Sequence, residues 1–329
     1  MQDKALLSVQ QLAVSFSLQD GGTLRAVNNL SYTIEAGDSL AIVGESGSGK
    51  TVQARALLGI LPPNGYISGG RAQFCGKDLL TCSQKELQKL RGKEISMVFQ
   101  NPSDSLHPAY TVGAQLIEAG MAHKTYCRNE AKKRAEALLT QVGLPQPEAA
   151  MKRYPHEFSG GMCQRVMLAM SLMQAPRLLI ADEPTTALDV TTQAQILSLL
   201  QDLQKKEGCA LLFITHDLAV VAQLCRCIVV MYAGHVLESG TVAEVFRAPQ
   251  SPYTRALLQS MPSLHGESGT KASLPGLPPD PRKMQKGCPF APRCQDCLPI
   301  CKEQMPPLRE ISSGHQVACW SGKESGENG

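Results

Sequence analysis

The sequence has no apolar segment long enough to cross a bilayer and no strong excess of charge. Its longest apolar runs, such as 210–215 and 227–233, fall far short of the ~20 residues that a spanning helix needs. The formal net charge is only +3 and no dense basic stripe is present, which disfavours nucleic acid as a partner. The first residues also lack the basic and apolar regions of a secretory signal. We expect a cytoplasmic chain that contacts membranes only through partners.

Cysteine, by contrast, is plentiful, with 12 residues in a chain of 329. Because no secretory signal is visible, a reducing compartment is expected and disulfides are not. Seven cysteines are scattered through the first 227 residues, and we expect them to be small buried apolar side chains. The other five crowd the tail: Cys288, Cys294, Cys297, Cys301 and Cys319.

Short apolar runs bounded by polar or turn residues predict an α/β chain. Strands are predicted at 7–16, 30–34, 39–43, 95–100, 178–181, 210–215 and 228–232. Two of the runs, LLIADEP and LLFITHD, are continuously apolar and end in acids or histidine, as buried parallel strands do at their carboxyl ends. Helices are predicted at 51–61, 112–122, 130–142, 166–173 and 253–260.

A glycine-rich loop after the strand at 39–43 carries the strongest motif. Its residues match G-x-x-x-x-G-K-S/T between a strand and a helix, which is the context of a P-loop. In such a loop, backbone N–H groups wrap phosphates, Lys50 reaches the β- and γ-phosphates and Thr51 binds Mg²⁺. The nucleotide-binding residues are Gly44, Glu45, Ser46, Gly47, Ser48, Gly49, Lys50 and Thr51.

Two acidic residues, Asp182 and Glu183, follow the apolar run at 178–181. At the end of a buried strand, Asp182 is placed to hold Mg²⁺ and Glu183 to polarise the attacking water as general base. Adjacent acids at a strand end are often merely solvated, so this interpretation depends on the P-loop that accompanies them.

A second candidate anion site precedes the helix predicted at 166–173. Its residues are Ser159, Gly160, Gly161 and Met162, and backbone N–H groups at a helix start can bind a phosphate. Taken alone, Ser-Gly-Gly is equally typical of a turn with an N-cap.

These motifs, in this order, resemble the ATP-binding cassette (ABC) family of transport ATPases over residues 5–260. The resemblance rests on GESGSGKT, Gln100 at a strand end, FSGGM, LLIADEP, Ala187-Leu188-Asp189 and His216. It implies that Gln100 senses Mg²⁺ and the attacking water, that Asp189 faces a partner cassette, and that His216 contacts the γ-phosphate. It also suggests that Phe16 stacks on adenine, although an aromatic residue in a strand is commonly part of the core.

The resemblance implies an α/β P-loop NTPase cassette with a mostly parallel core sheet, an antiparallel β subdomain and an inserted helical lobe. We predict a nucleotide-binding domain at 5–260 with the helical lobe at about 101–177. A Ser/Gly/Pro-rich linker is expected at 261–286, a small irregular cysteine-rich extension at 287–320 and a polar tail at 321–329. Phe158 and Cys163 depart from the residues usual in the family.

Finer features, including YPHE before the FSGGM motif and SPYTRALLQSMP after it, resemble the oligopeptide/dipeptide/nickel importers. The cysteine-rich tail resembles that of the peptide importers, so peptide uptake is the leading function, with nickel, a metallophore or another small solute as alternatives. The implied partners are a second ATPase subunit, favoured to be a different chain, two membrane permeases and an external solute-binding protein. The implied place is the cytoplasmic face of the bacterial inner membrane.

The tail cysteines Cys288, Cys294, Cys301 and Cys319 are separated by five, six and seventeen residues. Subfamily members with this pattern resemble binders of a 4Fe-4S cluster through four thiolates. Two alternatives to the cluster remain. One is zinc, for which only Cys294-x₂-Cys297 has the usual spacing, and the other is free thiols without a metal. Cys297 is either a substitute ligand or spare.

Two other classes compete with an importer ATPase. A soluble cassette protein of translation or DNA repair would carry two cassettes or a long coiled-coil insertion, and neither is visible. A redox sensor without catalysis would leave Glu183 and His216 unexplained. The cofactors expected of the main interpretation are ATP, Mg²⁺ and the iron–sulfur cluster.

Overall fold

The computed structural model describes residues 5–101, 105–185, 189–261, 276–277, 279, 282 and 286–321. The strands are Ala5–Ser17 (β1), Thr23–Glu35 (β2), Ser39–Val43 (β3), Gly65–Phe74 (β4), Lys77–Asp78 (β5), Ile95–Val98 (β6), Leu178–Asp182 (β7), Ala210–Thr215 (β8), Cys227–Tyr232 (β9), His235–Thr241 (β10), Arg309–Ser312 (β11) and His315–Val317 (β12). The helices are Lys50–Leu57 (α1), Gln84–Leu90 (α2), Val112–Met121 (α3), Arg128–Gln141 (α4), Pro147–Ala150 (α5), Gly160–Ser171 (α6), Val190–Glu207 (α7), Leu218–Leu224 (α8), Val242–Arg247 (α9), Pro252–Gln259 (α10) and Pro299–Glu303 (α11).

The chain divides into two compact units that interleave along the sequence. The first unit holds Ile34–Ser39 and Cys82–Ile214, together with the start of β1. The second holds Leu7–Thr33, Leu40–Thr81 and the chain from Thr215 onward. The domain boundaries predicted from the sequence are a different division and stay predictions.

The first unit contains three parallel strands, β6, β7 and β8, in neighbouring positions. Ile180 of β7 lies between Met97 of β6 and Leu212 of β8. Every residue of these three strands is buried, and strands covered on both faces need such continuous apolar runs. The buried β7 therefore delivers its last residue, Asp182, at the carboxyl edge of the parallel strands.

Helices α3, α4 and α6 of the first unit contact one another. Leu116, Ala135 and Leu139 are fully buried on them, as the apolar faces of amphipathic helices require. Polar side chains satisfy carbonyl groups at the helix ends, because those carbonyls have no partner within their own helix. Arg134 donates to the carbonyls of Leu172 and Met173.

The second unit contains a four-stranded sheet in the order β2-β1-β4-β5, in which β1–β4 and β4–β5 are antiparallel pairs. It also contains β3 paired in parallel with β9, followed by β10, β12 and β11 as antiparallel neighbours. β3 is buried along its whole length. The tail strands β11 and β12 thus extend the same set of strands that positions β3.

A buried hydrogen bond between side chains connects β12 to β10. The Nε2 atom of His315 lies 2.8 Å from the Oε1 atom of Glu238, and the side chains are only 4% and 0% exposed. The same carboxylate accepts backbone hydrogen bonds from Gln250 and Ser251 at 2.8 and 2.9 Å. A buried carboxylate needs such partners, because an unpaired one is costly. His315 therefore fixes the tail strand β12 against β10.

The expectation that the seven scattered cysteines are buried is only partly right. Cys163, Cys209 and Cys225 are buried, whereas Cys75 and Cys127 are exposed. Cys75 has a positive φ of 48° in the tight turn between β4 and β5, so local turn geometry places its side chain outside. Among the described helices, none combines the length and apolar character that crossing a membrane requires.

Candidate functional site

The loop from Gly44 to Gly49 connects β3 to α1 in the second unit and has a backbone that only glycine tolerates at two points. Gly44 has φ +154°, and a Cβ there would lie 2.1 Å from the carbonyl oxygen of Met231. Gly49 has φ +97°, and its Cβ would lie 2.4 Å from the carbonyl oxygen of Ala26. Side chains at either position would displace the loop, so its close approach to neighbouring strands depends on glycine.

Lys50 and Ser48 are buried inside this loop. The Lys50 ammonium donates to the carbonyls of Gly44 and Glu45 at 2.7 and 2.9 Å. The Ser48 hydroxyl is buried without a hydrogen-bond partner among the described residues. Buried polar groups normally have partners, and a phosphate bound by the loop would supply one for Ser48. The helix start at Lys50 adds partial positive charge to the same place.

The predicted catalytic residues of the first unit follow the carboxyl ends of β6 and β7. Asp182 closes β7 and is 1% exposed. Glu183 has a positive φ of 47°, which is uncommon for a residue with a side chain and is often associated with functional positions. Its N–H donates to the carbonyl of Ile214 at 2.8 Å, so the neighbouring strand fixes the backbone of Glu183.

Gln100 and Glu183 lie together, although 83 residues separate them in the chain. The Nε2 atom of Gln100 donates to a Glu183 carboxylate oxygen at 3.0 Å. The parallel pairing of β6 with β7 explains the contact, because both residues follow the carboxyl ends of adjacent strands. An amide donor of this kind orients the carboxylate without neutralising its charge, which suits a general base.

The predicted signature segment begins α6. Ser159 is the N-cap, and its hydroxyl accepts a hydrogen bond from the N–H of Met162 at 3.4 Å. Ser159 and Gly160 are exposed. Of the two departures from the family, Phe158 lies under the Arg153 guanidinium at 4.5 Å, and Cys163 is buried with its thiol directed at the carbonyl of Pro155.

Asp189 and His216 occupy loop positions after β7 and β8. Asp189 is the N-cap of α7, and its carboxylate accepts from the N–H and hydroxyl of Thr192 at 2.9 and 2.7 Å. These hydrogen bonds hold the pKa of Asp189 below its usual value. His216 is exposed directly after β8. Ala187 and Leu188, which belong to the same predicted motif as Asp189, lie outside the described residues.

Phe16, the predicted adenine contact, lies near the end of β1 opposite Gly65 of β4. Its side chain is partly exposed. A Cβ at Gly65 would come within 2.9 Å of the Phe16 ring, so the ring rests against the backbone of β4. Part of the ring is therefore left open to solvent, as stacking on a base requires.

The four predicted cluster ligands Cys288, Cys294, Cys301 and Cys319 line one cavity of 20 Å³. Burial raises the pKa of Cys288 and of Cys294 to about 11, and it also raises the pKa of Cys301, so these thiols are protonated at neutral pH. The donor set fits a cluster held by four thiolates. The space does not, because a cavity of this size holds about one water molecule.

In the described part of the chain, no group of three or more His, Cys, Asp or Glu side chains is arranged to hold a metal ion. The thiols would have to move apart to admit an iron–sulfur cluster. Cys297 does not line the cavity, and its thiol is directed at the carbonyl of Leu298. Cys297 neighbours Cys301, with which its side chain forms a hydrogen bond, but it does not line the cavity that the other four tail cysteines share.

Sequence reasoning missed two residues that contact the P-loop. The Tyr253 hydroxyl accepts a hydrogen bond from the N–H of Glu45 at 3.0 Å. Arg293 forms two hydrogen bonds with the Glu45 carboxylate, at 2.6 and 3.0 Å. Both residues are more than 200 positions from Glu45 in the chain, and no local pattern connects them, so no signal in a single sequence could have found them.

Comparison with known proteins places these features in one family. The profile described as "ABC transporter" matches residues 27–186, and that described as "Oligopeptide/dipeptide transporter, C-terminal region" matches residues 237–301. The chain is 49% identical to the oligopeptide transport ATP-binding protein OppD of Escherichia coli (strain K12), over 97% of this chain and 94% of the relative. It is 46% identical to the dipeptide transport ATP-binding protein DppD of Bacillus subtilis (strain 168), over 96% and 94%.

The solved structures that resemble this chain are also ATP-binding cassettes. The dimeric post-hydrolysis state of the ATP-binding cassette MJ0796, bound to ADP and Pi, matches with a TM-score of 0.66 and 25% identity, over 72% of this chain and 98% of that one. The cassette cbiO1 of Clostridium perfringens, part of the transporter complex cbiONQ, matches with a TM-score of 0.62 and 30% identity, over 75% and 92%. The predicted α/β cassette fold is thereby confirmed. The chain belongs to the ABC transporter family and is an ATP-binding-cassette ATPase.

Proposed function

We propose that this chain is the ATP-hydrolysing subunit of a membrane importer for oligopeptides or dipeptides. The observation that carries the proposal is near-full-length similarity to ATP-binding proteins of oligopeptide and dipeptide transport, including the tail. Nickel, a metallophore or another small solute is the alternative cargo for the same ATPase. A soluble ABC ATPase without a transporter is a weaker alternative, because it leaves the match of the C-terminal region unexplained.

The proposed site uses the P-loop, Gly44–Thr51, for the phosphates. Lys50 exchanges its two carbonyl partners for β- and γ-phosphate oxygens, and Ser48 gains the hydrogen-bond partner that it lacks among described residues. Thr51, Asp182 and Gln100 are the proposed Mg²⁺ residues, since hydroxyl, carboxylate and amide oxygens are ligands that Mg²⁺ accepts. When bound, the metal neutralises charge that develops on the transferred phosphoryl group.

Glu183 is proposed as the general base that takes a proton from the attacking water. Its backbone is held by Ile214 and its carboxylate by Gln100, so the base is oriented before substrate arrives, which lowers the barrier. His216 is proposed to contact the γ-phosphate and Phe16 to stack on adenine. The segment from Ser159 to Met162, of which Ser159 and Gly160 are exposed, is proposed with Asp189 to face the nucleotide of a second cassette.

The proposed assembly contains a second, homologous ATPase subunit, two permease chains and an external solute-binding protein, and no nucleic acid. The chain would then sit peripherally on the cytoplasmic face of the bacterial inner membrane. Cargo choice would lie with the permeases and the binding protein. The similarity to cassettes solved as dimers supports the two-cassette arrangement.

Cargo class can be tested by the ATPase activity of the reconstituted complex. With the cognate permeases and binding protein in lipid vesicles, a mixture of short peptides should stimulate ATP turnover several-fold, because the loaded binding protein favours the closed cassette pair. Nickel salts, a nickel chelate and sugars serve as matched additions and should leave turnover at its basal rate. Stimulation by nickel but not by peptides would favour the alternative cargo.

The iron–sulfur cluster is a separate proposal, in which Cys288, Cys294, Cys301 and Cys319 are the ligands. Support comes from the chemistry of four thiols that line one cavity, and binding would require these thiols to move apart. Anaerobically purified protein should absorb at about 400 nm and contain about four irons per chain. Cys301→Ser should lose most of the iron, whereas the control Cys297→Ser should keep it, because Cys297 lies outside the cavity.

Three results would count against this assignment. One is stoichiometric zinc in place of iron. Another is protein that holds no metal after anaerobic reconstitution with iron and sulfide. The third is equal iron loss in Cys297→Ser and Cys301→Ser, which would show that the cavity does not define the ligand set.

A further inference from the structure

Glu45 is an acidic residue within a loop that binds an anion. A carboxylate in such a loop repels the charged phosphates unless its own charge is balanced, since like charges a few ångströms apart interact unfavourably. The Glu45 side chain is 21% exposed, so water screens its charge only in part. Tight nucleotide binding by the loop therefore requires another group to balance the negative charge of Glu45.

Arg293 of the C-terminal region supplies the balancing charge. Its Nη1 and Nη2 atoms lie 2.6 and 3.0 Å from the two carboxylate oxygens of Glu45. The Arg293 side chain is 6% exposed, so the pair is well shielded and its geometry is the two-point form that arginine favours with carboxylates. The bond to Glu45 raises the pKa of Arg293 above its usual value, which keeps the guanidinium charged.

The guanidinium is itself held in place by aromatic residues. Nη1 of Arg293 donates to the Tyr232 hydroxyl at 3.0 Å, and its Cζ atom lies 5.8 Å from the Tyr232 ring centre and 6.0 Å from that of Phe290. Tyr232, Tyr253 and Phe290 contact one another with ring centres 4.7 to 5.3 Å apart. A rigid aromatic support of this kind fixes the position of the charge.

Glu45 is thus held at three points within the second unit. Its N–H donates to Tyr253, its carbonyl accepts from Lys50 and its carboxylate accepts from Arg293. We propose that Arg293 is a positioning residue for the P-loop, which neutralises the Glu45 carboxylate so that the loop can accept the phosphates of ATP. The C-terminal region then contributes directly to nucleotide affinity. This inference rests on the proposal that the loop binds phosphate.

The test is a set of variants in the full chain, with affinity for a fluorescent ATP analogue as the readout. Arg293→Met leaves the Glu45 charge unbalanced and should weaken nucleotide affinity about tenfold, which corresponds to about 1.4 kcal/mol. Adding Glu45→Gln to that variant removes the repelling charge and should bring affinity to within about threefold of wild type. Glu45→Gln alone should bind at least as tightly as wild type.

Arg255→Met is the matched control. Arg255 also pairs with an acid of the tail, Asp296, at 2.6 Å, but both side chains are largely exposed at 43% and 53%, so its removal should change affinity less than twofold. In steady-state turnover, Arg293→Met should raise KM for ATP and leave kcat nearly unchanged, because the residue acts on binding. A purely structural contact would not produce rescue by Glu45→Gln.

The inference is overturned if Arg293→Met binds nucleotide within twofold of wild type, or if the double variant binds no better than Arg293→Met. If Arg293→Met does not fold, the nucleotide affinity of Glu45→Gln alone tests the inference. A loss of more than threefold in the affinity of Glu45→Gln then overturns it. Lys50→Ala in the same assay separates the two proposals. If Lys50→Ala binds nucleotide as the wild type does, the proposal that the loop binds phosphate is rejected. If Lys50→Ala loses nucleotide binding while Arg293→Met keeps the affinity of the wild type, only the role of Arg293 is rejected.

Discussion

The Glu183→Gln variant is expected to bind ATP and to hydrolyse it about 100-fold more slowly or worse, which is the scale of losing a general base. Glutamine keeps the size of the side chain but cannot take a proton from water. Its amide can still contact Gln100, which donates to the carboxylate in the wild type at 3.0 Å. The structure around residue 183 should therefore persist while the chemical step fails.

The measurement is ATP turnover of the chain in the presence of its second cassette, with the bound nucleotide identified after quenching. Bound nucleotide should remain ATP in Glu183→Gln and become ADP in the wild type. Glu136→Gln is the matched control, since the partly exposed Glu136 side chain pairs with Lys132 on the surface of α4 at 3.7 Å. Turnover of Glu183→Gln within threefold of wild type would remove Glu183 from the proposed mechanism.

The Lys50→Ala variant is expected to lose about 100-fold in affinity for Mg-ATP, since each hydrogen bond from a charged group contributes about 1.5–3 kcal/mol. The ammonium is buried and bonded to two loop carbonyls, which places a positive charge inside the P-loop before any phosphate binds. Alanine removes that charge and leaves the carbonyls of Gly44 and Glu45 without their donor.

Affinity is measured by calorimetry or by a fluorescent nucleotide, beside a thermal unfolding curve for each variant. Lys132→Ala, whose side chain is 60% exposed, is the control and should bind as the wild type does. A Lys50→Ala protein that unfolds normally and still binds Mg-ATP within fivefold of wild type would contradict the proposed role of Lys50.

The strands predicted best from the sequence are the fully buried ones, because burial on both faces requires a continuous run of apolar residues. β3, β7 and β8 are continuous apolar runs and lie within a residue of their predicted positions. β4 was missed, because GYISGG is rich in glycine and polar residues, which are depleted in strands. Helix α1 ends at Leu57, short of the predicted residue 61, since Gly59 takes a positive φ of 61° and prolines follow.

The candidate site was predictable where its residues form local motifs and unpredictable where they meet across the fold. The local motifs GESGSGKT and Asp182-Glu183 predict the phosphate-binding loop and the acidic residues. The family resemblance predicts the role of Gln100. The contact of Arg293 with Glu45 spans 248 positions, and no local pattern in the glycine-rich loop or in the cysteine-rich tail connects the two residues. The pairing of His315 with Glu238 is also long-range, so only the folded chain reveals what the tail does.

The central claim is that this ATPase drives peptide uptake, and accumulation of a labelled short peptide in vesicles tests it most directly. The vesicles carry the permeases, the second cassette and this chain, with ATP enclosed on the cassette side and the binding protein on the other. We expect the peptide to accumulate above its external concentration with ATP, and not with ADP or when this chain is omitted. Absence of accumulation with every component present, or equal accumulation without this chain, would contradict the claim.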